Sequence, residues 1–144
     1  MIYLDTSAFL KLYVRESGSE MVQTIITSQS DPLPLWDILQ AEMLNAFRLK
    51  VFWGELDQSE SERLIRLFDD RLQRGQYFAM EVDRHRLLTA FRELSGRTPK
   101  TGCRTMDIFH VACALQAEAR QFVSFDARQR ALAASAGLSV LPED

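Results

Sequence analysis

Two short apolar runs each stop at an aspartate, and this limits the folds open to the chain more than any other feature. Met1-Ile2-Tyr3-Leu4 ends at Asp5, and Phe122-Val123-Ser124-Phe125 ends at Asp126. Such runs read as short strands, and helix-like segments lie between them. Thr6 to Val14 and Ser17 to Thr27 read as helices, and Pro32 and Pro34 flank a short extended piece. Asp37-x-x-Gln40 and Asp57-x-x-Glu60 have the form of capping boxes, opening helices to about Trp53 and about Arg74. Tyr77 to Val82 reads as a strand, Asp83 as the cap of a helix to about Leu94, and Gly96 to Gly102 as a loop holding Pro99. Thr105 to Ala119 and Ala127 to Ala136 follow as helices, with Gly137 at a C-cap and Leu138 to Leu141 as the last strand. Strands alternating with helices predict an α/β fold, a parallel sheet covered by helices on both faces.

The chain has 144 residues, 47% hydrophobic and 26% charged, which suits one domain over residues 1–144 with a sizeable core. Cys103 and Cys113 match no zinc or redox spacing and read as reduced thiols. The start lacks a basic leader region and no apolar run approaches membrane length, so a cytoplasmic protein with no membrane partner is expected.

In a parallel sheet the carboxyl ends of paired strands open on one edge, where α/β folds build their sites. Asp5 and Asp126 would meet there. Asp107 precedes the apolar segment Ile108 to Leu115, and Glu42 lies inside a long apolar stretch. Charges beside such runs need compensation, and carboxylates gathered at one edge repel one another unless a divalent cation joins them. An all-oxygen donor set with no Cys or His cluster favours a hard cation, Mg²⁺ with Mn²⁺ as the substitute. Each aspartate also has a plainer explanation. Asp5 and Asp126 stand where helix N-caps belong, and Asp107 suits the positive end of a helix dipole. Glu42 sits mid-helix, where capping does not apply but simple exposure does.

Polar neighbours extend the candidate site. Thr6 and Ser7 follow Asp5 at a helix start, Asn45 is one turn after Glu42, and His110 one turn after Asp107. Ser124 lies two before Asp126, on the same side of its strand. Asn45 and His110 are possible outer partners of the acids, although a lone His on an apolar helix is often a satisfied core residue. The net charge is −3, yet Arg84 to Arg104 carries a local balance of +5. Arg84, Arg86, Arg97, Lys100 and Arg104 are therefore the candidate phosphate contacts; a solvated helix face would read the same way.

The stretch Asp5-Thr6-Ser7-Ala8-Phe9-Leu10-Lys11-Leu12-Tyr13 resembles the opening of PIN-domain proteins, in particular the VapC toxin branch. Ala41-Glu42-Met43-Leu44-Asn45-Ala46, Thr105-Met106-Asp107-Ile108-Phe109-His110-Val111-Ala112 and Phe122-Val123-Ser124-Phe125-Asp126 fall where that family keeps its other acids. The resemblance spans essentially the whole chain. It implies a PIN-like fold, a Mg²⁺-dependent endoribonuclease leaving 5′-phosphate and 3′-hydroxyl ends, a homodimer, and an antitoxin partner. By the same resemblance Asp5, Glu42, Asp107 and Asp126 hold the metal, and Ser124 replaces the family's more usual Thr. One departure is Leu35-Trp36-Asp37, where a Ser or Thr commonly opens the helix. Trp36 is either a core residue or a platform for a base.

Other readings start from the same sheet edge. A phosphorelay receiver needs an acidic pair after the first strand and a late Lys, but Thr6-Ser7 follows Asp5 and no Lys follows Lys100. A haloacid-dehalogenase-type phosphatase needs Asp-x-Asp, and Ser7 fills its second place. A catalytically silent RNA- or protein-binding module stays open. Finally, the helix from Asp37 to Trp53 is apolar nearly all round. It either leaves Phe47, Val51, Phe52 and Trp53, with Leu56, Leu67 and Phe68, as an interface patch, or is covered by the next helix.

Overall fold

A computed structural model describes residues 1–143; Asp144, the last residue of the expected domain, lies outside them. The order is β1 (Ile2–Leu4), α1 (Thr6–Leu10), α2 (Ser19–Thr27), β2 (Leu33–Leu35), α3 (Asp37–Phe52), α4 (Gln58–Gln73), β3 (Tyr77–Ala79), α5 (Arg84–Ser95), α6 (Thr98–Thr101), α7 (Thr105–Gln116), β4 (Gln121–Val123), α8 (Ala127–Ser135) and β5 (Ser139–Leu141). Every ladder is parallel. β4 lies between β1 and β5, with Tyr3 opposite Phe122 and Phe122 opposite Val140. β2 pairs with β3, Pro34 opposite Phe78, and packs beside β1. The expected α/β architecture, a parallel sheet flanked by helices, is the one observed.

Burial explains why such short strands hold. All three residues of β1 and of β2 are buried, and each large apolar side chain removed from water contributes roughly 1.5–3 kcal/mol. Tyr3 stacks on Phe122 across the first ladder, at 5.6 Å between ring centroids. Phe9 stands edge-on to both Phe68 and Tyr77, and the cluster extends to Phe47 through Tyr13.

Several boundaries differ from the sequence reading, for physical reasons. The first helix ends at Leu10 rather than Val14, because Lys11, Leu12 and Tyr13 bond three residues back instead of four, tightening the chain into turns. That turn leads to Gly18 at φ +87°, where a Cβ would come 2.8 Å from the Phe125 ring, so only glycine fits. The capping box at Asp57 and Glu60 forms, but the one at Asp37 does not. Trp36 takes the N-cap position and Asp37 falls inside the first turn of α3. The loop around Pro99 contains the short helix α6, with Pro in its first turn. Helix α7 stops at Gln116, and β4 ends at Val123 because Asp126 must leave the strand to cap α8.

The apolar patch on α3 is smaller than expected. Phe47 and Phe68 are fully buried between α3 and α4, leaving Phe52 (83% exposed), Trp53 (59%) and Leu49 at the helix end. Trp36 is buried against the His110 ring, so it belongs to the core and cannot stack on a base. The C-terminal turn of α3 is tied down by Lys50, a buried cation bonded to Glu55 at 2.6 Å and Glu16 at 3.4 Å. Nothing in the local sequence marked that lysine as buried.

Candidate metal and nuclease site

Asp5 leaves β1 and caps α1. Its Oδ1 accepts from the Ala8 N–H (2.7 Å) and the Ser7 hydroxyl (3.2 Å). The residue is 5% exposed, and burial pushes its carboxyl above the ordinary range, against the opposing hydrogen bond from the Ala8 amide. A carboxylate kept this costly to ionise invites a cation.

Glu42 reaches the same place from α3. Its Oε1 accepts from the Thr6 hydroxyl at 2.8 Å and lies 2.7 Å from His110 Nε2. Burial raises the Glu42 carboxyl, but the His110 hydrogen bond and charge, followed by Thr6, outweigh it and leave the group below its usual value. His110 is buried, and its Nδ1 stands 2.8 Å from the Tyr3 hydroxyl. His110 is thus both a satisfied core residue and a direct partner of a candidate acid.

Asp107 and Asp126 form the outer half. Asp107 Oδ2 accepts from the Arg104 N–H at 3.3 Å in the first turn of α7. Asp126 Oδ1 accepts from the Arg128 and Gln129 N–H groups, both at 2.9 Å, capping α8. Ser124, fully buried, receives the Asp126 N–H at 3.1 Å and donates to Gln129 Oε1 at 2.7 Å. The Gln129 amide in turn donates to the Asp107 backbone carbonyl at 3.2 Å. Gln129 is 1% exposed and joins the two outer acids; its capping spacing from Asp126 hid this role, since the side chain turns inward instead of back to the cap.

Three of the four carboxylates share one property: their hydrogen bonds fall on a single oxygen, leaving Glu42 Oε2, Asp107 Oδ1 and Asp126 Oδ2 without a partner among the described residues. The donor chemistry fits a hard divalent cation. Among the described residues, however, no three His, Cys, Asp or Glu side chains stand close enough together to form a metal shell. Sharing an ion therefore requires the acids to draw closer together than they stand here. Of the remaining expected residues, Thr6, Ser7, His110 and Ser124 contact the acids, while Asn45 is exposed with no side-chain hydrogen bond among the described residues.

The five basic candidates divide in two. Arg97, Lys100 and Arg104 lie around α6 and the start of α7, with Arg97 reaching Ser135 on α8 at 2.7 Å. Arg84 and Arg86 stand at the start of α5, where Arg86 sits by the Asp83 carboxylate. Sequence reading missed Arg128, which reaches the Gly102 carbonyl at 3.5 Å. The Cys103 thiol reports the grouping: burial raises it most, Thr101 opposes, Asp107 and Asp126 raise it further, and Arg128 lowers it. Two acids and one guanidinium thus act on a single buried sulfur.

A parallel sheet carrying acids at the carboxyl ends of β1 and β4 defines a class of α/β domains with an acidic edge. Comparison with known proteins settles which: the PIN domain family model matches residues 2–135, and the chain belongs to that family. No curated protein matches it in sequence. Among solved structures it resembles FitAB bound to an IR36 DNA fragment, with a TM-score of 0.70, 18% identity, and 98% of this chain and 94% of that one covered. VapC20 of Mycobacterium tuberculosis, described as a sarcin-ricin-loop-cleaving toxin, gives 0.68 at 13% identity with 96% of each chain covered. VapBC-1 from nontypeable Haemophilus influenzae gives 0.65 at 16%, covering 97% of this chain and 96% of that one.

Proposed function

We propose that this protein is a Mg²⁺-dependent endoribonuclease, with Mn²⁺ able to substitute, and the toxin of a toxin–antitoxin pair. The observation that supports it best is the set of four carboxylates at one edge, three of them with one oxygen held by the protein and the other without a partner among the described residues. Asp5, Glu42, Asp107 and Asp126 would hold the ion. A cation bound there would supply Lewis-acid polarisation of the scissile phosphate and lower the pKa of an attacking water. The protein's own part is to hold the acids. Thr6 and His110 fix Glu42, Ser7 and the Ala8 amide fix Asp5, and Gln129 ties the Asp107 turn to Ser124. Arg104 and Arg128, beside the outer acids, would take phosphate oxygens of the RNA.

The remaining parts of the reading are a single cytoplasmic domain over residues 1–144, a homodimer and an antitoxin segment. The similar VapC20 is described as a toxin, and exposed Phe52 and Trp53 offer apolar surface for a protein partner here. Among the described residues no helix is long and apolar enough to cross a membrane. A catalytically silent binding module is the second reading, favoured by one observation: the acids do not already form a shell.

Incubating the chain with total RNA, with Mg²⁺ or with EDTA, and mapping the new ends separates the two. Cleavage that needs the metal and leaves 5′-phosphates supports the nuclease. Equal cleavage in EDTA, or none under any divalent cation, overturns it.

A further inference from the structure

His110, Tyr3 and Glu42 come from three separate elements, α7, β1 and α3, and meet in one line of hydrogen bonds. Glu42 accepts on Oε1, so His110 Nε2 must carry the hydrogen that it donates at 2.7 Å. The other ring nitrogen, Nδ1, lies 2.8 Å from the Tyr3 hydroxyl, so both nitrogens have partners and the ring is fixed. Tyr3 cannot swing away. It is fully buried, stacked on Phe122 and edge-on to the His110 ring. Thr6 gives Oε1 a second hydrogen bond, so rotating the carboxylate would break both. Glu42 Oε2, at the end of a side chain 30% exposed, has no partner among the described residues.

We propose that His110, oriented by Tyr3, is a positioning residue that holds Glu42 Oε1 and so presents Oε2 alone to the divalent cation. This rests on the metal-dependent reading given above and assigns one of its acids a defined orientation. A His that only satisfied the core would need no carboxylate at its second nitrogen. Here the donor is spent on an ionised, half-buried group at the functional edge, as histidines and carboxylates around metals commonly are.

The test is Mn²⁺ binding by isothermal titration calorimetry, with Mn²⁺-supported RNA cleavage beside it. His110→Ala removes the donor and should weaken Mn²⁺ binding by about 10- to 100-fold. His110→Gln places an amide N–H near the Nε2 position and should recover most of that loss. Tyr3→Phe, which loosens only the ring, should weaken binding less than His110→Ala. Turnover should fall with metal affinity while the KM for RNA stays unchanged, a split that general loosening of the fold would not give. Circular dichroism melts establish that each variant is folded. If His110→Ala does not fold, the comparison of His110→Gln and Tyr3→Phe with wild type decides. A folded His110→Ala with wild-type Mn²⁺ affinity overturns the proposal, as does His110→Gln no better than a folded His110→Ala. So does Tyr3→Phe with wild-type affinity where His110→Ala is unfolded. Wild-type protein that binds no Mn²⁺ removes the metal reading itself, whereas wild-type binding with insensitive variants removes only this role of His110.

Discussion

The two halves of the acidic edge are built by different means. Glu42 is fixed by side chains from α1 and α7, the His110 ring being held in turn by Tyr3 of β1, while buried Asp5 accepts from the Ser7 hydroxyl as well as from a backbone amide. Asp126 is exposed and Asp107 partly so, and the partners of their carboxylates are backbone amides two or three residues away. The deep half thus depends on the whole fold being in place, whereas the outer half depends on two helix starts. Substitutions should separate them: in the deep half stability and activity are set against each other, while in the outer half a cap can be replaced without touching the core.

The largest effect is expected at Asp5. Asp5→Asn keeps a good N-cap and removes a charge that burial disfavours. Cleavage should fall by at least about 10²–10³-fold, as when a group placed to stabilise the transition state is lost. Stability should move the other way. The folded carboxyl is held above its unfolded value of 3.8, so ionisation costs stability above that range, and the cost disappears as pH falls below it. The variant should therefore melt higher than wild type at pH 7, by a few degrees for each ~1 kcal/mol relieved, with the gap closing towards pH 4. Glu42 has the opposite sign: its lowered carboxyl contributes stability above its unfolded value of 4.5 that is lost on acidification, so Glu42→Gln should be less stable at pH 7. Thermal melts of both variants from pH 4 to pH 7 would break the comparison if the two shifted in the same direction.

Gln129 sharpens the comparison from the outer side, because, like Ser124, it belongs to the outer half yet is buried. Gln129→Ala strands the Ser124 hydroxyl and the Asp107 carbonyl and opens a small void. A loss of about 2–3 kcal/mol in urea unfolding is expected. Asp126→Ala should lose only ~1 kcal/mol, the worth of a cap, and Asp126→Asn less still. Both Asp126 variants should nonetheless lose cleavage. If Asp126→Asn cleaved RNA like wild type, Asp126 would be a cap and nothing more.

How much of this was legible follows the same division. Caps at Asp5, Asp57, Asp83 and Asp126 could be read from the chain because capping is decided within three residues, and all four form. The strands were legible from their apolar runs, although their ends were not, since Ser124 and Phe125 yield to the demands of α8. The choice between core residue and platform stayed open for Trp36 because its burial depends on the placement of α7. The bond between His110 and Glu42, the inward turn of Gln129 and the burial of Lys50 were hidden because each partner arrives from a distant element. Four acids in order marked the edge; their individual settings required the fold.

The smallest expected effect concerns the cations, and it tests whether the outer half is the side the RNA meets. Arg104 gives its backbone N–H to Asp107 and Arg128 its own to Asp126, whereas Arg86 sits by Asp83 at the start of α5. None of these arginines has an ion pair among the described residues, so charge alone does not distinguish them and position does. Single-stranded RNA bound to the Asp5→Asn chain in EDTA isolates binding from cleavage. Arg104→Gln and Arg128→Gln should each flatten the log–log salt dependence by about 0.7 and weaken binding a few-fold at moderate salt. Arg86→Gln should leave both nearly unchanged. Equal losses at all three positions would mean a diffuse electrostatic surface with no preferred side. A loss confined to Arg86 would place the RNA along α5, away from the outer acids, and the two halves of the edge would then need another explanation for their difference in exposure.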